Sequence, residues 1–302
     1  MRVLASSFLT LLWVVLAGAG GGTLAAETPV RVVVSFSILE DLVAAVGGSD
    51  VAVTSLIGRD ANEHVFEPRP EQVRLLTQAR LFVVNGLGLE GWLPRLVQSA
   101  GYHGPVVVAA EGIAPMMRTE AGESARTADP HAWQDVRHGV IYAENIARAL
   151  AAADPRHAAA YRQRFTNYRA ELEALDRDVR EKLGAIPAEK RRVITTHDAF
   201  AYYGRAYGVT FLAPQGLSTE SEPSAKTVAA LIRQIRRDGI KALFLENISD
   251  PRLMQEIARE TGASLGPPLY SDALSGPQGP APTYLRMIEY NTAVLKQGML
   301  EN

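Results

Sequence analysis

Three histidines and one aspartate combine donor chemistry with suggestive settings. His64 sits in a polar loop after the apolar run 51–57, and Pro68 and Pro70 close that loop. Pro70 suits a first helical position, where a missing N–H costs nothing. His131 lies in Asp129-Pro130-His131-Ala132-Trp133. His197 lies in Thr195-Thr196-His197-Asp198, straight after the apolar pair Val193-Ile194. Asp272 follows Pro267-Pro268-Leu269-Tyr270-Ser271. Three imidazoles and one carboxylate make a complete donor set for a transition-metal ion. The chain has no cysteine, so thiolate ligands are excluded.

Each residue also has a plainer reading. A loop histidine is often solvated. Asp129 and Asp135 both suit helix starts around His131. An aspartate after serine is usually a turn residue. The neighbours weigh on the other side. Asp198 is placed to orient the His197 imidazole, and Glu63 to act beside His64 as an extra ligand or a support. Glu246 ends a strand close to the same place, although it could serve only to hold loops. His103, His138 and His157 read as ordinary solvent-facing histidines.

The elements that must position these residues alternate in type. Strand patterns at 30–35, 51–57, 81–85 and 106–109 are separated by helix patterns at 38–46, 71–79 and 89–100. Gly47-Gly48 stops the first helix. This βαβ series implies a parallel sheet covered by helices. Residues 111–128 are polar and small, without histidine, and read as a mobile surface loop. A helix at 136–152 ends at Asp154-Pro155. Then Tyr161, Phe165, Tyr168, Leu172, Leu175, Val179 and Leu183 recur in steps of three and four. That stripe predicts one helix over 156–183, roughly 40 Å long, enough to span two lobes.

Residues 190–302 repeat the plan, with strands at 192–196, 210–213 and 242–246 and a short strand before Asp272. Helices are expected at 199–207, 225–238, 251–261 and 283–299. The fold class is therefore α/β, with two lobes joined by one long helix. The division reads 27–154 for the first lobe, 155–187 for the linking helix and 188–302 for the second lobe. Ligands of open α/β sheets bind at the carboxyl ends of strands. His64, His197 and Asp272 all follow strand-like runs, so a metal would sit in the cleft between lobes.

The chain is 302 residues long with 47% hydrophobic content, enough for a sizeable core. A formal net charge of −2 implies no basic surface for nucleic acid. Arg2, an apolar stretch at 8–19 and Leu24-Ala25-Ala26 read as a cleavable signal peptide over 1–26, too short for a confident membrane span. Without cysteine, export brings no disulfides and no lipid-modified cysteine. The expected product is a free periplasmic protein.

Four motifs together resemble a known family. They are Glu63-His64-Val65-Phe66-Glu67-Pro68, Asp129-Pro130-His131-Ala132-Trp133, Thr196-His197-Asp198-Ala199-Phe200 and Tyr270-Ser271-Asp272-Ala273-Leu274. They are similar to the metal-ligand motifs of the cluster A-I solute-binding proteins of zinc and manganese ABC importers. Residues 218–224 resemble that family's second-lobe loop. The resemblance implies two lobes, each around a four-stranded sheet, linked by one rigid helix. It implies one metal ion held by His64, His131, His197 and Asp272 and passed to an inner-membrane permease. It makes the protein a receptor and not an enzyme. A monomer is expected, with a periplasmic metallochaperone as a further partner. Two departures stand out. Asn62-Glu63 replaces the common Asp-Pro before the first histidine, and the His-rich loop of many zinc members is missing.

The residues also allow two other functions, a zinc hydrolase and a surface adhesin. A catalytic zinc usually keeps an open position for water, whereas four protein ligands close the site. Imidazole-rich donors suit zinc, with Mn2+ as the alternative.

Overall fold

The computed structural model describes residues 28–119 and 126–302. The signal-peptide expectation for 1–26 lies outside these residues. The first lobe runs β1 (Val30–Val34), α1 (Ser37–Gly47), β2 (Val51–Ser55), α2 (Pro70–Thr77), β3 (Leu81–Val84), α3 (Leu93–Ala100) and β4 (Val106–Val108). All four strands are parallel, in the order β2-β1-β3-β4. Val32, Val33 and Val34 of β1 are buried, as a central parallel strand covered on both faces requires. Pro70 opens α2 as expected, and the Gln72 side chain accepts from Arg69 N at 2.9 Å. Helix α3 starts later than its apolar pattern suggests. Gly86, Leu87 and Gly88 all take positive φ, and this turn delays the helix.

Part of the loop expected over 111–128, residues 120–125, lies outside the described residues; on either side of it β5 (Met117–Thr119) pairs antiparallel with β6 (Arg126–Ala128). Two three-residue strands of this composition carry no apolar alternation, so the pattern that reveals a strand is missing.

Helix α4 (Val136–Ala153) begins where Asp135 accepts from Arg137 N. Helix α5 (Ala158–Gly184) is the linking helix, 27 residues long, or ~40 Å at the usual rise. Six residues of its expected apolar stripe are buried: Tyr161, Tyr168, Leu172, Leu175, Val179 and Leu183. It packs on α1 and α4 of the first lobe and on helices of the second.

The second lobe runs β7 (Arg192–Ile194), α6 (Ala201–Tyr207), β8 (Thr210–Leu212), α7 (Ala225–Asp238), β9 (Ala242–Glu246), α8 (Arg252–Thr261), β10 (Ser264–Leu269) and α9 (Tyr284–Glu301). Its parallel sheet has the order β10-β9-β7-β8. Gly208, Gly239 and Gly262 end α6, α7 and α8 in the left-handed conformation that glycine adopts without steric cost.

One apolar cluster runs through both lobes, from Val32 and Phe82 through Phe36 and Trp133 to Tyr202, Leu274 and Leu295. A smaller one lies under α7 and α8, around Ile235, Leu243 and Ile257. Among the described residues no helix is long and apolar enough to cross a membrane.

Candidate metal centre

His64 projects from the loop between β2 and α2. That loop is pinned to the second lobe at Asp60, a non-glycine residue with φ of 53°. Asp60 N donates to Leu274 O at 3.0 Å. Its carboxylate accepts from Asn247 Nδ2 at 3.0 Å and Gly276 N at 3.1 Å. These three bonds hold a conformation that would otherwise be disfavoured.

His131 follows β6 and its orientation is fixed by Asp129. One carboxylate oxygen, Oδ1, lies 2.8 Å from His131 Nδ1 and accepts from His131 N at 2.9 Å. His197 follows β7. Glu246, at the end of neighbouring β9, accepts through Oε1 from Thr196 N and His197 N, both at 2.9 Å. Its Oε2 lies 2.5 Å from His197 Nδ1. Asp272 follows β10. The preceding residue is fixed from the first lobe, where Trp133 Nε1 and Gln134 Nε2 donate to Ser271 O at 2.9 and 2.6 Å.

The four side chains converge, with one donor atom from each lying within 4.8 Å of all the others. His64 Nε2 is 3.4 Å from His131 Nε2, and His197 Nε2 is 3.0 Å from Asp272 Oδ2. Bonds of about 2.0–2.1 Å in a tetrahedral site put donors roughly 3.4 Å apart, and these two pairs stand near that spacing. The side chains of His131, His197 and Asp272 are fully buried, and only His64 keeps 6% exposure. Asp272 Oδ1 and both Glu63 oxygens are buried without a hydrogen-bond partner. Buried polar atoms are nearly always paired, and a cation is the partner this cluster would accept.

Electrostatics fit the same picture. Burial, reinforced by His131 and His197 against the pull of Asp272, lowers His64 to about 3, so this imidazole stays neutral. Burial alone would lower His197 too, but Glu246 and Asp272 outweigh it and hold that imidazole well above its ordinary value. Burial would raise Asp272, yet the three histidines keep it below the usual carboxylate range. Glu63 is pushed well up by burial and then by Asp272, with its Oε1 3.4 Å from His64 Nε2. The carboxylates of Glu246 and Asp272 thus favour the protonated form of His197, and a metal bound there would have to displace that proton.

Some expectations need correction. Asp198 does not orient His197; its carboxylate pairs with Arg118 of β5. The two neighbours in sequence point to different sides, and Glu246 reaches His197 from the adjacent strand. Asp129 acts on His131 itself and does not cap a helix. The Asp-x-His spacing is its sequence signal, because an aspartate readily bonds the backbone N–H two residues on. His138 is not solvent-facing but half-buried, edge-on to Tyr202 at 5.4 Å. His157 is partly covered and lies 2.5 Å from Asp154 Oδ2. His103 is exposed as expected.

Two parallel-sheet lobes, a long joining helix and a buried three-histidine, one-aspartate centre between them define a class, that of two-lobed metal receptors. The family model described as zinc-uptake complex component A, periplasmic, matches residues 32–298, and this chain belongs to that family. It is 33% identical to the iron-binding protein YfeA of Yersinia pestis over 89% of this chain and 86% of that protein. It is 28% identical to the manganese ABC transporter substrate-binding lipoprotein PsaA of Streptococcus mitis, covering 97% and 96% of the two chains. Among solved structures it is similar to the periplasmic zinc-binding protein TroA of Treponema pallidum. That match has a TM-score of 0.84 and 28% identity, over 90% of this chain and 99% of that one. The chain is a metal-binding solute receptor of an ABC importer that works outside the cytoplasm, and the hydrolase and adhesin readings give way.

Proposed function

We propose that His64, His131, His197 and Asp272 are the ligands of one divalent transition-metal ion, held as cargo between the lobes for delivery to a cognate permease. The observation that carries this is the convergence of the four donors, with carboxylates behind His131 and His197. Carboxylate–histidine pairs of this kind fix the ring and raise ligand basicity. Glu63 stands against the centre as a supporting group. The cargo is zinc in preference to manganese, because three nitrogens and one carboxylate suit zinc and a given site ranks zinc above manganese. The names of the three relatives, with iron, manganese and zinc among them, leave that choice to the donor chemistry. The first lobe ends near residue 154 and the second begins near 188. The receptor is a monomer that takes its metal directly or from a periplasmic metallochaperone. Several relatives are named lipoproteins, but this chain has no cysteine to carry a thioether-linked lipid, which supports a free protein.

Calorimetric titration with Zn2+ tests the ligand set. His197→Ala should weaken binding at least ten-fold, and the exposed His103→Ala should bind like wild type. Equal affinity in both variants would overturn the assignment. Competition between Zn2+ and Mn2+ at equal free concentration tests the preference, and Mn2+ in most sites would overturn it.

A further inference from the structure

Three of the four donors are fully buried, so an ion reaches the centre past His64. His64 also differs in its support. His131 and His197 each have a carboxylate against Nδ1, whereas among the described residues no carboxylate backs Nδ1 of His64. Its position is set through the backbone instead, where Asn62 Oδ1 accepts from His64 N at 3.0 Å. The same amide reaches across the lobes, with Asn62 Nδ2 donating to Thr219 Oγ1 at 2.8 Å. Asn62 and Thr219 border a cavity of about 310 Å³ that also touches Thr196, beside His197. The hydroxyls of Thr196 and Ser249 on its wall are buried without a partner, so the wall offers oxygens to an incoming hydrated ion.

We propose that the Asn62–Thr219 hydrogen bond is a latch across the entrance of the metal centre, and that its opening limits both uptake and release. Asn62 and Thr219 are positioning residues, acting on the ion only through His64. The proposal rests on the ligand assignment above. A latch that closes over the empty and the filled centre alike changes rates and not affinity. Asp60 keeps the loop attached to the second lobe when the latch is open, so the fold does not depend on it.

Thr219→Val removes the hydroxyl at nearly constant volume, and Thr219→Ser restores it. Stopped-flow mixing with Zn2+ gives the association rate, and transfer to a chelator gives the dissociation rate. In Thr219→Val both should rise together, about two- to ten-fold for the loss of one hydrogen bond, with Kd within about two-fold of wild type. Thr219→Ser should match wild type. Unchanged rates in Thr219→Val would overturn the latch, as would a rise in dissociation alone, or Thr219→Ser behaving like Thr219→Val. In those cases the ligand set stands. A wild-type protein that takes up no Zn2+ would overturn both.

Discussion

The three histidines of the centre are held to different degrees, and that has a consequence for protons. His197 lies between Glu246 and Asp272 and is held well above its ordinary value, while burial keeps His64 neutral. The His197 proton stabilises the metal-free fold. That contribution is complete below the unfolded value of about 6.5 and fades as pH rises through the higher folded value. A metal must expel this proton, so affinity should rise with pH, and uptake near neutrality should release protons. Titration in two buffers of different ionisation enthalpy counts them, and no release would mean that His197 is already neutral. The convergence of the four side chains was legible in the sequence because His64, His197 and Asp272 each follow a strand-like run. Their supports were only partly so. Asp198 adjoins His197 in sequence yet turns to Arg118, whereas Glu246 arrives from 49 residues away because β9 pairs with β7.

Among the elements, the long helices and the strands of the two main sheets were the most legible. The sequence pattern places α7 and β9 at their observed bounds, because an amphipathic stripe and a short apolar run each leave a clear period. The β5–β6 hairpin left none. Contacts between elements were also hidden. The N-terminus of α9 meets α1 of the other lobe, where Tyr284 N donates to Asp41 Oδ2 at 2.8 Å. Burial raises Asp41 to about 6, against the Tyr284 bond and Arg59, with Glu40 adding to the rise. A carboxyl raised on folding gives stability that is complete below the unfolded value of about 4 and lost as pH rises through 6. Asp41→Asn keeps an acceptor for Tyr284 N and removes the half-buried charge. It should match wild type near pH 4 and exceed it by about 2 kcal/mol near pH 8. Denaturant midpoints at the two pH values check this, and equal midpoints near pH 8 would refute it.

At the scale of the whole molecule, the apolar core is continuous from the first sheet to the second. Trp133 and Gln134 of the first lobe donate to Ser271 O, and Tyr284 of the second donates to Trp133 O at 2.5 Å. The linking helix packs against both halves along its length. A receptor whose lobes swing shut around its ligand hides fresh apolar surface when it binds, and water released from that surface lowers the heat capacity. Hiding a thousand square ångströms in this way would register as about −0.45 kcal/mol per kelvin. Here the facing surfaces are joined through a continuous core and these hydrogen bonds, which leaves little fresh apolar surface to hide. The enthalpy of Zn2+ binding, followed over a range of temperatures in a buffer of known ionisation heat, should therefore change little beyond the proton's own contribution. A slope more negative than about −0.3 kcal/mol per kelvin would show that the halves come apart and close. A flat one means that calorimetry will see an ion exchanging its water for nitrogen and oxygen, with almost no hydrophobic signature from the protein around it.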